Sequence, residues 1–233
     1  MVQISAIICA YNEEATVENI LSSISKISRI SEIIVINDGS LDKTEDIIKK
    51  IKTRINIIDI HLPQNMGKGY ALAKGVEISN SDYLVFIDAD LSNLTSKHVY
   101  QLVDPVINNE VDMVLGQATD TRINHNINPF KYFSGQRALR KKDLLPILDR
   151  IKPSRFGVET IINLHYQATN KMIKYVNLKN LSHPTKFDKT LSHIALKEFV
   201  MEGHQIFSTA FHNMDLLTKS IKNSISNSFN VHV

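Results

Sequence analysis

Tyr83-Leu84-Val85-Phe86-Ile87-Asp88-Ala89-Asp90 decides how this chain is read. A short apolar run rich in β-branched and aromatic residues predicts a strand buried on both faces, and two carboxylates follow it one residue apart. In an open α/β sheet, ligands bind beyond the carboxyl ends of the strands, so Asp88 and Asp90 are expected at the mouth of a crevice. Two carboxylates there suit a hard divalent cation shared with a diphosphate, because Mg²⁺ takes one or two carboxylates and completes its shell with phosphate and water oxygens. A nucleotide-sugar site is the reading this favours. The competing reading is that the pair caps the helix beginning after Thr95, or solvates a turn.

The surrounding sequence alternates strand and helix patterns. Residues 4–10, 32–37, 55–60, 83–87 and 111–115 read as strands, and residues 14–24, 43–52, 68–78 and 96–107 as helices between them. That rhythm predicts an α/β fold, a Rossmann-like and mostly parallel sheet with helices on both faces. Beyond Gly116 the rhythm breaks. Residues 117–132 are rich in Asn, Asp, Thr and Pro and read as a loop over the active edge. Helices are expected near 141–149, over 158–168 and over 189–201, with a strand over 172–178. The segment from His204 is polar with scattered apolar positions, and is expected to form a helix that docks on the core, on a second copy or on a membrane surface.

The 233 residues carry a formal charge of +3 and 43% hydrophobic content, enough for a sizeable core and no case for nucleic acid. No apolar run reaches membrane-spanning length and no cleavable leader is evident, so a soluble, cytoplasmic protein is expected. Cys9 is the single cysteine and reads as core filling.

Two further strand ends point to the same crevice. Ala10-Tyr11-Asn12-Glu13-Glu14 follows the first strand and Asn37-Asp38-Gly39-Ser40 the second, and neighbouring parallel strands set such loops side by side. Asp38 is suited to accept from a nucleobase imide, and the backbone around Tyr11 to frame the ring, although both loops also read as turns. Asn65-Met66-Gly67-Lys68-Gly69 opens a helix, where glycines admit close backbone approach and a lysine can meet a phosphate or a sugar. It is neither a Walker A loop nor a dinucleotide fingerprint.

Ile8-Cys9-Ala10-Tyr11-Asn12-Glu13, Ile36-Asn37-Asp38-Gly39-Ser40, Asn65-Met66-Gly67-Lys68-Gly69 and Phe86-Ile87-Asp88-Ala89-Asp90 resemble, in order, the successive motifs of family 2 glycosyltransferases of the GT-A fold. The resemblance implies donor-binding segments at Ala10 to Glu13, Asp38, Gly67 with Lys68, and Asp88 to Asp90. Within them Asp38 would contact uracil, Lys68 would lie near the donor, and Asp90 would be the direct metal ligand with Asp88 beside it. Phe133-Ser134-Gly135-Gln136-Arg137-Ala138-Leu139-Arg140, Phe156-Gly157-Val158-Glu159 and Val176-Asn177-Leu178 are similar to the glucosyl-3-phosphoglycerate synthases and their retaining relatives. That likeness implies His183 as a further metal ligand, with His193 as its rival. It also implies Glu159 facing the donor sugar, and Gly135, Gln136 and Arg137 lining the acceptor pocket. Glu159, Lys68 and Asp90 are the expected catalytic residues, with Mg²⁺ or Mn²⁺ as cofactor and a UDP sugar as donor. For Glu159 the alternative is simple complementation of a helix dipole.

The chain is accordingly expected to comprise a glycosyltransferase domain over residues 1–203 and a helical tail over 204–233. Within the domain, 1–116 form the nucleotide-sugar-binding half and 117–203 the acceptor-side half. The expected reaction moves a hexose to a small hydroxylated, anionic acceptor such as phosphoglycerate, with Arg137, Arg140 and Lys141 offering a basic surface. Arg122 is a candidate anion ligand in the loop. The alternatives are a polyprenyl-phosphate sugar synthase, held peripherally at the inner membrane face by the tail, a sugar-phosphate nucleotidyltransferase, and a noncatalytic nucleotide-sugar binder. A homodimer through the tail is a further expectation.

Overall fold

The structure is a computed structural model that describes residues 2–118, 135–155, 157–182 and 208–229. The expected helix over 189–201, the loop residues 119–132, and His183, His193 and Arg122 lie outside the described residues.

The first half runs β1 (Ile4–Ala10), α1 (Val17–Ile24), β2 (Glu32–Asn37), α2 (Thr44–Lys52), β3 (Ile58–His61), α3 (Lys68–Ile78), β4 (Tyr83–Phe86) and α4 (Ser96–Ile107). It continues with β5 (Met113–Ala118), β6 (Arg137–Arg140), two short helices α5 (Lys141–Leu144) and α6 (Leu148–Ile151), α7 (Val158–Ala168), β7 (Ile173–Leu178) and a C-terminal helix α8 (Met214–Phe229). The seven strands form one sheet in the order β3-β2-β1-β4-β6-β5-β7. Only β6 is antiparallel to its neighbours β4 and β5. The carboxyl ends of the other six strands therefore share one edge with the amino end of β6.

Alternation along each strand divides the core in two. Ile4, Ala6, Ile8 and Ala10 of β1, with Ile33 and Val35 of β2, face α1, α2 and α4. Ile7 of β1, with Ile34 and Ile36 of β2 and Leu84 and Phe86 of β4, faces α3, α6 and α7. This period-2 division is what a sheet covered by helices on both faces demands.

Several boundaries differ from those the sequence suggests. The first helix starts at Val17 because residues 14–16 serve the β1 loop instead. The strand near residue 55 starts at Ile58. β5 runs on through Gly116, where a Cβ would stand 2.6 Å from Leu178 Cδ1 and 2.7 Å from Leu102 Cδ2, so the glycine serves strand packing rather than a turn. β6 is an addition, inserted between two parallel strands.

β6 also corrects the expected basic surface. Its register sets Arg137 opposite Phe86 at the crevice edge and Arg140 opposite Tyr83 at the far edge. Arg140 is held there by Asp112 at 2.8 Å, and Lys141 Nζ donates to Ser79 O at 2.5 Å. Arg137 is 1% exposed. The three cations do not form one acceptor-facing patch.

The C-terminal helix docks on this chain's own core. Leu216 and Ser220 are buried against α7, Ser220 Oγ donates to Gln167 Oε1 at 2.7 Å, and Asn223 Nδ2 donates to the Gln167 and Ala168 carbonyls at 3.0 and 3.1 Å. Those carbonyls belong to the last turn of α7, where backbone acceptors lack intrahelical partners. Arg150 grips Asp215 through both guanidinium nitrogens at 2.8 Å each. Among the described residues, no helix is long and apolar enough to cross a membrane.

The tightest contact in the second core layer is Gly75 of α3 against Ile7, where an added Cβ would lie 2.5 Å from Ile7 Cγ2. Gly75→Ala is expected to lower the unfolding free energy by about 1–3 kcal/mol through overpacking. Ile7→Ala is expected to cost about 2–5 kcal/mol through a cavity. The double variant is expected to lose less than the sum of the two single losses, and urea titration of the four proteins measures the coupling.

Candidate active site

The site begins at the end of β2. Asp38 is 3% exposed, and its amide donates to Ala10 O at 2.8 Å. Its Oδ1 accepts the Met66 amide at 2.8 Å and its Oδ2 the Gly67 amide at 2.9 Å, tying the loop after β3 to the end of β2. Burial raises the Asp38 pKa, against the pull of those two amides and of the Arg155 charge. The carboxylate expected to meet a nucleobase is thus already oriented by backbone, with one further lone pair on each oxygen for a ligand.

The loop after β1 is knitted to the same place. Asn12, at φ 56°, donates its amide to Ser40 Oγ at 2.9 Å and accepts the Leu41 amide on Oδ1 at 2.9 Å. Glu13 donates its amide to Thr44 Oγ1 at 2.8 Å, and its Oε2 accepts the Thr16 hydroxyl at 2.7 Å. Ala10 is buried, and Tyr11 is left exposed at the rim.

The start of α3 is closely packed. Gly67, at φ 96°, and Gly69 make room for this chain's own 151–155 segment. A Cβ at Gly67 would lie 2.9 Å from Arg155 Cα, and one at Gly69 would lie 2.3 Å from Ile151 O. The Gly69 amide donates to Arg155 O at 2.8 Å, while the Gly67 amide serves Asp38. The amides of the N-cap Gly67 and of Gly69 in the first turn are therefore taken internally.

Lys68 carries the centre of the site. Its Nζ lies 2.8 Å from Asp88 Oδ1 and 2.7 Å from Glu159 Oε1, bridging the end of β4 to the first turn of α7. Burial works against its charge, but Asp88 and Glu159 more than compensate and hold its pKa above the ordinary lysine value. Asp88 Oδ2 accepts Gln136 Nε2 at 2.6 Å. A Cβ on Gly135 would lie 2.3 Å from both Asp88 oxygens, so glycine there is the space the carboxylate occupies. Arg137 reaches beneath this group, its Nη1 donating to Asn163 Oδ1 at 3.3 Å. Burial lowers its pKa, and the charges of Glu159 and Asp88 oppose that. Lys68, Asp88, Gly135, Arg137 and Glu159 line one small cavity, together with Cys9, whose thiol is pushed up to about 12 chiefly by burial. That thiol is protonated at neutral pH, in keeping with core filling.

Asp90 is half-buried in the turn that follows β4, after the buried Ala89. Ser92, two residues on, exchanges backbone hydrogen bonds with Ser182 at 2.8 and 3.3 Å, an isolated antiparallel bridge. Among the described residues, no group of three or more His, Cys, Asp or Glu is arranged to hold a metal unaided. The donor set present, Asp90 with Asp88 nearby, fits a hard cation that completes its shell from a diphosphate and water.

The sequence reading missed Arg155. Its side chain is exposed and its Nη2 donates to Asn65 Oδ1 at 3.0 Å. An arginine two residues before Gly157-Val158-Glu159 was the available signal.

A profile for glycosyl transferase family 2 matches residues 5–180. A poly-beta-1,6-N-acetyl-D-glucosamine synthase of Staphylococcus aureus is 40% identical over 88 residues, which are 37% of this chain and 21% of that protein. A glucosyl-3-phosphoglycerate synthase of Mycobacterium tuberculosis is 36% identical over 114 residues, 46% of this chain and 35% of that protein. The matches thus span about a fifth to a third of these curated relatives. A crystal structure of the mycobacterial synthase, in complex with Mn²⁺, uridine diphosphate and phosphoglyceric acid, superposes with a TM-score of 0.70 at 24% identity, covering 94% of this chain and 78% of that one.

Replacing Lys68 by Met would leave Asp88 and Glu159 without the ammonium that bridges them. The expected loss is about 2 kcal/mol at pH 7, because two carboxylates withdrawn from water lose their shared counter-charge. In the wild type, the raised lysine pKa makes its contribution fully present below about pH 10 and lost only as pH rises further. Denaturant titrations of both proteins at several pH values check the sign.

Proposed function

Because the chain belongs to glycosyl transferase family 2, we propose that it moves a hexose from a nucleoside-diphosphate sugar, a UDP sugar in first place, to a small hydroxylated acceptor, with Mg²⁺ or Mn²⁺ as cofactor. The observation that carries this reading is the convergence of Asp38, the Lys68–Asp88–Glu159 group and Asp90 on one sheet edge. Asp38 and Asp88 follow β2 and β4, with β1 between them. Two interstrand spacings amount to about 10 Å, commensurate with the reach from a nucleobase to its diphosphate.

In this reading Asp38 receives the base and Tyr11 borders it. Lys68, Asp88 and Gln136 form the floor beneath the ribose and diphosphate, Glu159 orients hydroxyls of the transferred sugar, and Gly135 with Gln136 opens the acceptor side. Asp90 holds the cation together with His183. The bridge from Ser182 to Ser92 supports that assignment, because it tethers the chain near Asp90 immediately before the histidine. The cation, when bound, supplies Lewis-acid stabilisation of the charge developing on the departing diphosphate.

The likeness to the mycobacterial synthase makes phosphoglycerate the first acceptor to try. The basic trio expected to favour an anion does not support it, since Arg140 and Lys141 lie at the other edge. Family membership argues against a nucleotidyltransferase.

Thermal shift and nucleotide release, recorded with UDP and GDP sugars in Mg²⁺, Mn²⁺ or EDTA and with phosphoglycerate as acceptor, test the reading. Metal-dependent stabilisation by a UDP sugar is expected, and Asp90→Ala should cut turnover about a hundredfold or more. His183→Ala should raise the metal concentration needed for half-maximal turnover, and His193→Ala should not. Absence of any response to nucleotide sugars sinks the proposal.

A further inference from the structure

We infer that Arg155 sets the nucleobase preference of the donor site. Beside Asp38, its guanidinium donates to a ring carbonyl of a pyrimidine-dione base whose imide N–H donates to the Asp38 carboxylate. The inference deepens the proposed function and rests on its assignment of the Asp38 end to the base.

Four observations place Arg155 there. Its backbone is locked to the base loop, since its carbonyl accepts the Gly69 amide at 2.8 Å and its Cα, Cβ and Cγ pack on Gly67. Gly67 and Met66 are the residues whose amides orient Asp38. Its Nη2 donates to the amide oxygen of Asn65, the residue preceding that pair, at 3.0 Å, which holds the guanidinium against the loop that orients Asp38. Asn65 is the only hydrogen-bond partner of this guanidinium among the described residues, so its other N–H donors remain available on an exposed side chain. Its charge also acts on Asp38, lowering a pKa that burial raises.

The backbone adds a separate argument. Arg155 sits at φ 46° and ψ −100°, a conformation disfavoured for any residue carrying a Cβ. Glycine would hold this turn with less strain, so local geometry does not account for an arginine. A side chain kept at such a position is a pointer to function.

The chemistry then selects the ligand. A carboxylate and a guanidinium side by side present an acceptor next to donors. A pyrimidine-dione edge presents carbonyl, N–H, carbonyl, which is complementary. Cytosine presents a bare ring-nitrogen lone pair where the imide N–H would be, and that lone pair faces the carboxylate. A buried polar group left facing the wrong partner is the stronger source of discrimination.

The test uses the full chain with Mn²⁺ and titrates uridine diphosphate and cytidine diphosphate by calorimetry into wild type, Arg155→Gly, Arg155→Ala and Arg155→Lys. Wild type should prefer the uridine nucleotide. Arg155→Gly should weaken uridine diphosphate about tenfold or more, the effect of losing one hydrogen bond to a charged group. It should leave cytidine diphosphate nearly unchanged and the unliganded melting temperature equal or higher. Arg155→Ala should show the same loss of preference, and Arg155→Lys should restore part of it. Unchanged uridine diphosphate affinity in Arg155→Gly overturns the inference. So does an equal loss for both nucleotides, which would mark a diphosphate contact, or a structural role if the melting temperature also falls. Should the wild type bind neither nucleotide, the donor reading itself fails and takes this inference with it.

Discussion

The Lys68 ammonium is the contact on which the rest of the site depends. It stands at the first position of α3 and bridges a carboxylate after β4 to another in the first turn of α7, two elements more than seventy residues apart in the chain. Carboxylates so withdrawn from water are tolerable only when paired and hydrogen-bonded. The pairing therefore fixes three elements at once. With Lys68 on one oxygen of Asp88, the other turns to Gln136, and the carboxylate fills the space that Gly135 leaves. The floor of the crevice is thus set by charge pairing across the sheet edge, with the two core layers holding the helices that deliver the charges.

Absent side chains shape the same floor. Gly67 and Gly69 let the 151–155 segment lie directly on the start of α3, and Gly157 does the same for Thr209, whose Oγ1 would be 2.1 Å from a Cβ there. The C-terminal region is in this way packed against the cap of the helix that carries Glu159. A further consequence follows for anion binding. Helix N-termini attract phosphates through free amides, yet in α3 the Gly67 and Gly69 amides already serve Asp38 and Arg155. Through these two amides the start of α3 organises the site from within.

Much of this was legible in the sequence because it rests on local pattern. The β-branched runs mark β1 and β2 with the bounds observed, and the apolar periodicity of α7 marks it from Val158 to Ala168. The parallel order of strands then brings the loops after β1, β2 and β4 together. What was hidden depends on partners far along the chain. β6 has four residues with an arginine at each end, so it reads as exposed and basic. Its burial is conferred by β4 and β5 on either side and by Asn163 on α7. What the glycines around Lys68 accommodate was hidden for a similar reason, since that segment lies more than eighty residues later. Arg155 carried no signal beyond its place two residues before Gly157-Val158-Glu159, and its contacts with Asn65, Gly67 and Gly69 bring it to the site.

The charges lining the floor distinguish the two aspartates of the Asp-Ala-Asp step. Among the described residues lining the small cavity, two cations, Lys68 and Arg137, stand against two carboxylates, Asp88 and Glu159. This set is balanced, and it offers no net positive charge to a diphosphate in the low-dielectric setting where such charge matters most. On the proposed reading, the positive charge a departing diphosphate requires must then come from outside that set. The Gly67 and Gly69 amides are engaged, so on that reading a divalent cation on Asp90 would supply it. On that reading Asp88, held by Lys68 and Gln136, is the positioning member of the pair, and Asp90 would be the member that meets the metal. On the proposed reading, a chain that kept Asp90 but lost the Lys68 bridge would retain the metal ligand and lose the floor against which the donor would be set.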